Sequence, residues 1–522
     1  MFVPPLKMSI PPTRKALFLL LLALTIAAPH AAVGQSKKLP SVDKIVDNYI
    51  KATGGKKVAR AVRDASYEWI VQLNDQPIGT ARTQRKAPAS ERWDLTFGNG
   101  QVISAANARS AWEIGLDSKL RTLTALEAAT AKLRAALDSS HLIDFKKANI
   151  LARVVSLGDL GSEPAHIVEF STRSGARMHY YFSVKTSLIT KITSDTKKTR
   201  IVFDDYRRVE NSLILEPHRV RMTLDGSGDL TLILQTAKYD TGIDDRIFDP
   251  PAATEKLDVA ELLREVNRNQ DELDKRVSEY AFTQTETDKE LSSKGELKKQ
   301  TVKVYEVYPL PNREAVQKLI SENGIPLSPE KAAKEDRRVQ EEFTKAERDR
   351  EKDEQQAAKR RAEREKKANE GTEISPFLRV CEFVSPRREQ WAGRDTIVFD
   401  FRPKPGFKAK SREDSLIAKL VGVIWIDPVD KQVIRLEARL AEGFKIAGGL
   451  LASLKPGAAL VIEQTRMDQG VWLPKFAHLN LSVKLLLFAG GDYNKTIEWS
   501  NYKHFAGDIK DYKVDAPPTT KP

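Results

Sequence analysis

Cysteine is almost absent from this chain: Cys381 stands alone in 522 residues. A lone thiol cannot close an internal disulfide, so the cores must hold by packing alone. Histidine is scarce, and its seven copies are scattered singly, at His30, His141, His166, His179, His218, His478 and His504. No two stand at a metal-ligand spacing. The Gly-x-Ser-x-Gly elbow, the His-Glu-x-x-His helix and the phosphate-binding P-loop are all missing. Gly226-Ser227-Gly228-Asp229 reads as a hairpin tip. The most visible acidic pair, Asp204-Asp205, would point to opposite faces of a strand and cannot easily form a dyad. Cys381 sits in an apolar strand and reads as a buried structural thiol. The expectation is a protein that is not an enzyme, with no catalytic residues, no metal ligands and no cofactor, and with its ligand-binding residues unassigned.

Long apolar runs are also lacking, apart from Ala16 to Ala28 behind Lys7, Arg14 and Lys15. That run is short for a membrane span and fits a secretory signal. Ala32-Val33-Gly34 places small residues before an expected cleavage at Gln35; the alternative is an uncleaved anchor. No cysteine follows the run, which argues against a lipoprotein. Formal net charge is +13, of which the signal carries three, leaving +10. A basic surface suits anionic lipid or acidic polymers, and export argues against nucleic acid. Lys37-Lys38 and Arg387-Arg388 read as solvated basic clusters, with lipid head groups as the other option.

What the chain does contain is a pattern written twice. Tyr181-Phe182-Ser183-Val184-Lys185-Thr186-Ser187-Leu188-Ile189 is matched by Trp425-Ile426-Asp427-Pro428-Val429-Asp430-Lys431-Gln432-Val433. Each is followed by a second hairpin whose far strand carries a proline. Tyr206 to Val209 turns through Asn211-Ser212 to Leu215-Glu216-Pro217, and Gln464 to Met467 turns through Gln469-Gly470 to Trp472-Leu473-Pro474. The order suggests duplicated β-rich units; chance likeness of generic hairpins is the alternative.

Ser41 reads as the cap of a helix whose apolar stripe is Val42, Ile45, Val46, Tyr49 and Ile50, ended by Gly54-Gly55. Alternating segments follow from Tyr67 to Ile114. Thr124 and Glu127 form a capping-box pattern for a helix with Leu126, Leu133 and Leu137 on its buried side. Strands resume to Tyr239. A second helix, about Leu257 to Tyr280, opens a second run of strands. That pattern breaks after Val307 and returns at about Phe377; within it Leu485-Leu486-Leu487-Phe488 reads as a buried strand. Trp69, Val71 and Leu73 share one strand face, as do Trp425 and Val423, and a core role is expected for both sets.

The break is filled by charge. From Glu330 to Glu370, 27 of 41 residues are charged, with signs nearly balanced. Ser328-Pro329-Glu330 is a helix start, and Glu330/Lys334, Glu341/Lys345 and Glu363/Lys367 have i,i+4 spacing. Val339 and Phe343 are its only large apolar residues. Without a heptad seam, a lone exposed helix about 60 Å long is expected, with disorder as its competitor, serving as spacer, docking arm or decoration.

The order of elements resembles the LolA-like family of periplasmic outer-membrane lipoprotein-sorting proteins. The stretches that carry the resemblance are Tyr49-Ile50-Lys51-Ala52-Thr53-Gly54-Gly55, Arg85-Lys86-Ala87-Pro88, Gln101 to Trp112 and Tyr180 to Pro217. It implies an α+β fold of two incomplete antiparallel β-barrels, each with packed helices, plus the long charged helical insertion. The expected domains are a signal peptide (1–34), a first half-barrel (35–253), a second half-barrel (254–312 and 372–510) interrupted by the insertion (313–371), and a tail (511–522). The resemblance further implies a soluble periplasmic carrier that takes acyl chains of lipid or lipoprotein in an apolar cavity. The competing reading is a protein-interaction or sensor module with an envelope protein partner. Contact with a membrane surface is compatible with either.

Overall fold

The computed structural model describes residues 39–504, apart from 160–162, 197–198, 211, 225–227, 254–257, 278, 293–295, 311–314, 353, 357, 360–375, 447–451, 469 and 486–490. The expected signal, the C-terminal tail, the far part of the charged run, Gly226-Ser227 and Leu486-Leu487-Phe488 therefore lie outside the described residues. No described helix is long and apolar enough to cross a membrane.

The chain builds two large antiparallel sheets in sequence. The first holds β1 (Asp64–Leu73), β2 (Gln76–Lys86), β3 (Ser90–Phe97), β4 (Gly100–Ala106), β5 (Ala111–Ile114), β6 (Leu120–Thr122), β7 (Leu151–Asp159), β8 (Pro164–Ser171), β9 (Arg177–Ser183), β10 (Ile189–Ser194), β11 (Thr199–Arg208), β12 (Leu215–Leu224) and β13 (Gly228–Tyr239). Its order runs β6-β5-β4-β3-β2-β1-β13-β12-β11-β10-β9-β8-β7, so two meanders join at the β1–β13 pair. On one face lie α1 (Val42–Ala52) and α3 (Ala125–Ser139); the short α2 (Lys56–Ala61) follows α1.

The first sheet must curve around those helices. Arg85 on β2 lies 3.8 Å from Asp138 of α3, and the Tyr180 hydroxyl on β9 donates to the same carboxylate at 3.1 Å. Six strand spacings separate β2 from β9, about 29 Å in a flat sheet. Both side chains reach one carboxylate only because the sheet bends. The core inside the bend takes Ile45, Val46 and Ile50 from α1 and Leu133 and Leu137 from α3. As expected, Ser41 caps α1, accepting from the Lys44 amide. The capping box at Thr124 does not form: Thr124 makes no side-chain cap and Glu127 pairs with Arg121 instead. Leu126 is exposed rather than buried.

The second sheet holds β14 (Tyr280–Leu291), β15 (Leu297–Tyr308), β16 (Val316–Glu322), β17 (Ile325–Pro326), β18 (Cys381–Trp391), β19 (Arg394–Pro403), β20 (Leu420–Asp427), β21 (Gln432–Leu440), β24 (Ala459–Arg466), β25 (Trp472–Leu485) and β26 (Gly491–His504), with β22 (Phe444–Ile446) and β23 (Ala452–Leu454) paired beside β25. Its order is β17-β16-β15-β14-β26-β25-β24-β21-β20-β19-β18. The helix α4 (Val259–Val277) packs Leu262, Leu263 and Val266 against Phe399, Ile424, Ile426 and Val433.

The twice-written pattern recurs as geometry. Ser187 and Lys431 hold corresponding turn positions at positive φ, 63° and 51°. Ser183 Oγ accepts from the Thr186 amide, and Asp427 Oδ1 accepts from the amides of Val429 and Asp430. In the following hairpins Tyr206 pairs with Pro217 and Gln464 pairs with Pro474, the same register.

The charged insertion departs from its expectation. Its first helix, α5, spans Pro329–Arg348, about 30 Å, and is not free in solvent; residues 360–370 of the expected helix lie outside the described residues. Val339, Phe343 and Ala346 bury themselves against Leu310 and Val316. The strand β16 lies in the stretch expected to break the β pattern, and α5 seals its open edge. Glu335 accepts from the Leu319 amide at 3.0 Å, and Arg338 donates to the Gln317 carbonyl. An uncovered edge is a template for another strand. The pair Glu335→Ala and Arg338→Ala is therefore expected to keep the fold, cost about 1–2 kcal/mol, and raise concentration-dependent association in sedimentation. Unchanged association would show that α5 does not guard this edge.

Candidate functional site

The concave interior of the first sheet is filled. Glu216 accepts from Tyr67 at 2.8 Å and from Tyr239 at 3.1 Å. Arg134 donates to buried Glu91 at 2.7 Å, and Arg85 lies 3.4 Å from the same carboxylate. Arg85 also faces Asp138, which Tyr180 holds. Burial raises the pKa of Tyr67 and Tyr180, and their carboxylate neighbours raise it further. Burial is the largest influence on Asp138 too, pushing it to about 6 against the opposing pull of Arg85. The space left beside this network, lined by Asp64, Tyr67, Arg85, Asp138 and His141, is about 10 Å³. It holds at most a single water.

A larger opening lies at the mouth of the same unit. Pro40, Lys44, Ile45 and Asn48 of the α1 end face His166, Phe182, Ser183, Val184 and Ser187 across a groove of about 350 Å³. That is the low end of ligand-site volumes. Ile45 and Phe182 form an apolar floor, while Lys44, Asn48, His166 and two serines give a polar rim. His166 Nδ1 is buried without a hydrogen-bond partner among the described residues, and burial lowers that imidazole's pKa. Lys44 makes no ion pair among the described residues.

A second polar cluster joins the two units. Arg387 of β18 is 1% exposed and stacks its charge between both sheets. Its Nη1 lies 3.0 Å from Asp400, and its Nε and Nη2 donate to Thr122 Oγ1 at 2.9 and 2.8 Å. Thr122 ends the edge strand β6, and its amide donates to Glu389 at 2.8 Å. Ser110 Oγ donates to Asp400 at 2.6 Å, and Arg109 pairs with Asp249. Lys132 of α3 donates to the Arg109 carbonyl, and burial beside Arg439 lowers its pKa to about 8.

The sequence candidates fall as follows. No three His, Cys, Asp or Glu converge on a metal geometry among the described residues. His141 lies beside the interior network, His166 lines the groove, His179 faces Glu169, and His478 bonds Asn494. His218 bonds the Glu216 carbonyl and His504 faces Glu279. Asp204 pairs with Arg221 and Asp205 with Arg207, two separate surface contacts. Cys381 is buried and its thiol is pushed up to about 12. Trp69 and Val71 join the first core, but Leu73 at the end of their strand is exposed. Trp425 and Val423 pack with Val398, Ile434 and Trp472 on the face opposite α4. Arg387 was expected in solvent and is instead the centre of the junction. Alternation along β18 was its available signal: Arg387, Glu389 and Trp391 share one face.

No family model matches this chain, and no curated protein matches it. Several solved structures do. A DUF1329 family protein from Desulfovibrio piger shares 12% identity over 40% of this chain and 97% of its own, at a TM-score of 0.28. A LolA superfamily protein from Nitrosomonas europaea shares 12% over 40% of this chain and 98% of its own, also at 0.28. The MucA/MucB complex of Pseudomonas aeruginosa covers 87% of this chain and 94% of the matched chain at 7% identity and a TM-score of 0.18.

Proposed function

We propose that this chain is an exported protein-binding module. Two incomplete barrels, each closed by its own helices, are locked into one body, and a polypeptide partner is held at the mouth of the first. The observation that carries this reading is the occupied interior. A carrier of lipid or lipoprotein acyl chains needs an apolar cavity, because its gain is about 0.8 kcal/mol for each CH₂ buried. Here the concave face is covered by the apolar core packed under α1 and α3, and beside it Arg85, Glu91, Arg134, Asp138 and Glu216 are already paired with one another and with tyrosines. Pushing an acyl chain among them would break charged contacts that cannot be replaced in hydrocarbon. The groove outside is mixed in polarity and open, which suits a peptide carrying both kinds of side chain. Such a function needs no covalent chemistry.

The buried, high-pKa thiol of Cys381 makes a clean labelling test available. Val184→Cys places one reactive thiol at the groove, and Val429→Cys places one on an exposed turn of the second unit. Both are loaded with a photocrosslinker and expressed in the native host. The expected result is one discrete polypeptide adduct from position 184 and none from position 429. Stoichiometric phospholipid or acylated peptide in detergent-free protein, with no polypeptide adduct, would return the function to acyl-chain carriage. Deleting Glu330–Glu370 is a poorer test, since it strips the cover from β16.

A further inference from the structure

The two sheets end on β6, β7, β17 and β18, and at three of these ends a group from outside the ladder bonds part of the outermost backbone. At β6 the Thr122 amide is taken by Glu389. At β18, Pro386 removes a donor, its carbonyl accepts from the Ala253 amide, and Arg387 covers the Ser385 carbonyl. Beside the two-residue β17, α5 bonds the rest of the β16 backbone through Glu335 and Arg338. The fourth edge is β7. Its inner side pairs with β8 from Leu151 to Asp159, and no described group bonds the backbone on its outer side. Val155 and Leu157 stand 41% and 53% exposed there. Arg153 on this strand reaches Glu296 of the second unit at 3.5 Å and a bulge interrupts the ladder at Val155, so the stretch left free to pair is the one that follows the bulge, where Leu157 stands.

We infer that β7 accepts an added strand, an extended segment of another exported protein with apolar residues at alternate positions and acidic ones between them. This rests on the protein-binding reading above and names its partner. An open edge presents backbone donors and acceptors in alternation, and an extended backbone is what satisfies them. The register ties this edge to the groove: Leu157 pairs with His166, and His166 pairs with Phe182. A residue added beside Leu157 continues that row, with its side chain about 5 Å away at the groove's rim. Lys44 and the net charge of +10 beyond the signal favour acidic intervening residues. A second copy of this chain fits less well. The ladder of β7 is bulged between Val154 and Ser156, and two such bulges would meet in a symmetric pair of like-charged chains.

The test uses full mature protein and fluorescent strand-length peptides that alternate leucine with glutamate, or leucine with lysine, read by anisotropy. The glutamate peptide is expected to bind at least ten-fold more tightly. The variant Val155→Glu with Leu157→Glu should lose at least ten-fold of that affinity with its circular dichroism unchanged. Backbone N-methylation of the peptide supplies a second, fold-independent readout: methylating one alternate set of amides should abolish binding, and methylating the other set should spare it. Binding that ignores both the variant and the methylation phase would overturn strand addition while leaving a peptide-binding groove. Self-association of the protein that the variant abolishes would replace the heterologous partner with a second copy. No peptide binding together with co-purified lipid would overturn this inference and the protein-binding reading alike.

Discussion

Arg387→Ala is expected to lower stability by about 3–5 kcal/mol, the cost typical of removing one partner from a buried ion pair. The guanidinium is almost fully enclosed, so deletion leaves Asp400 buried with Ser110 as its short-range donor and Arg109, 3.6 Å away, as its remaining cation. Thr122 Oγ1 loses both of its nitrogen donors in the same step. Because the two acceptors belong to different sheets, the damage is to the joint as well as to either core. Urea unfolding should change from one transition to two, as the units lose their common support. A double-mutant cycle with Asp400→Asn should give a coupling well above 1 kcal/mol, since the two residues share one network. A loss under 1 kcal/mol with a single transition retained would mean that the units are held by something other than this cluster.

The same cluster shows where sequence reading stops. Strand alternation could have put Arg387 and Arg388 on opposite faces, and it did predict the hairpins around Ser183 and Asp427. Alternation says which residues share a face, not what covers that face. Thr122 lies 265 positions from Arg387, and nothing local marks the two as partners. A pair of adjacent arginines therefore reads as solvated surface until the other sheet is seen.

The charged insertion failed for a different reason. Its two large apolar residues, Val339 and Phe343, were visible four positions apart, one helical turn. Lack of a repeating seam excludes a coiled coil but says nothing of packing against the chain's own sheet. A contact of two turns needs no repeat, only those two side chains with Ala346 beside them. The polar residues just before them, Glu335 and Arg338, then meet the edge of β16, a strand hidden in a stretch too short and mixed to show alternation. Leu126 erred in the opposite sense. A leucine in the first turn of a helix was assigned to the core, but α3 is anchored through Leu133 and Leu137, a full turn and more further on. The groove was not legible at all, because α1 and the β9 turn are distant in sequence and meet only when the sheet bends.

Asp138 offers the sharpest test of the filled interior, through pH. In the folded chain its carboxyl titrates near 6, because burial outweighs the attraction of Arg85. An unfolded aspartate titrates near 3.9. Between those values the native state holds more protons than the unfolded one. Stability on this group's account therefore falls as pH rises from about 4 to about 6, and is level above that. The whole effect is at most about 3 kcal/mol, with a slope of up to about 1.4 kcal/mol per pH unit. Asp138→Asn keeps an acceptor for the Tyr180 hydroxyl and removes the titration, so the slope should flatten across this window. Arg85 loses one anion but retains Glu91 at 3.4 Å, so the variant should be at least as stable as the parent at pH 7. His141 titrates nearby with the opposite sign. Burial lowers its pKa, so its contribution to stability rises with pH up to about 6.5. The variant His141→Asn separates the two, since asparagine tolerates the positive φ of 45° at that position. With His141 removed the parent slope should steepen, and with Asp138 also removed only the dependence carried by other shifted groups, such as His166 and Asp249, should remain. An Asp138→Asn protein whose pH profile matches the parent's would mean that water reaches this carboxylate freely. The interior would then be open enough to reconsider a cargo inside it.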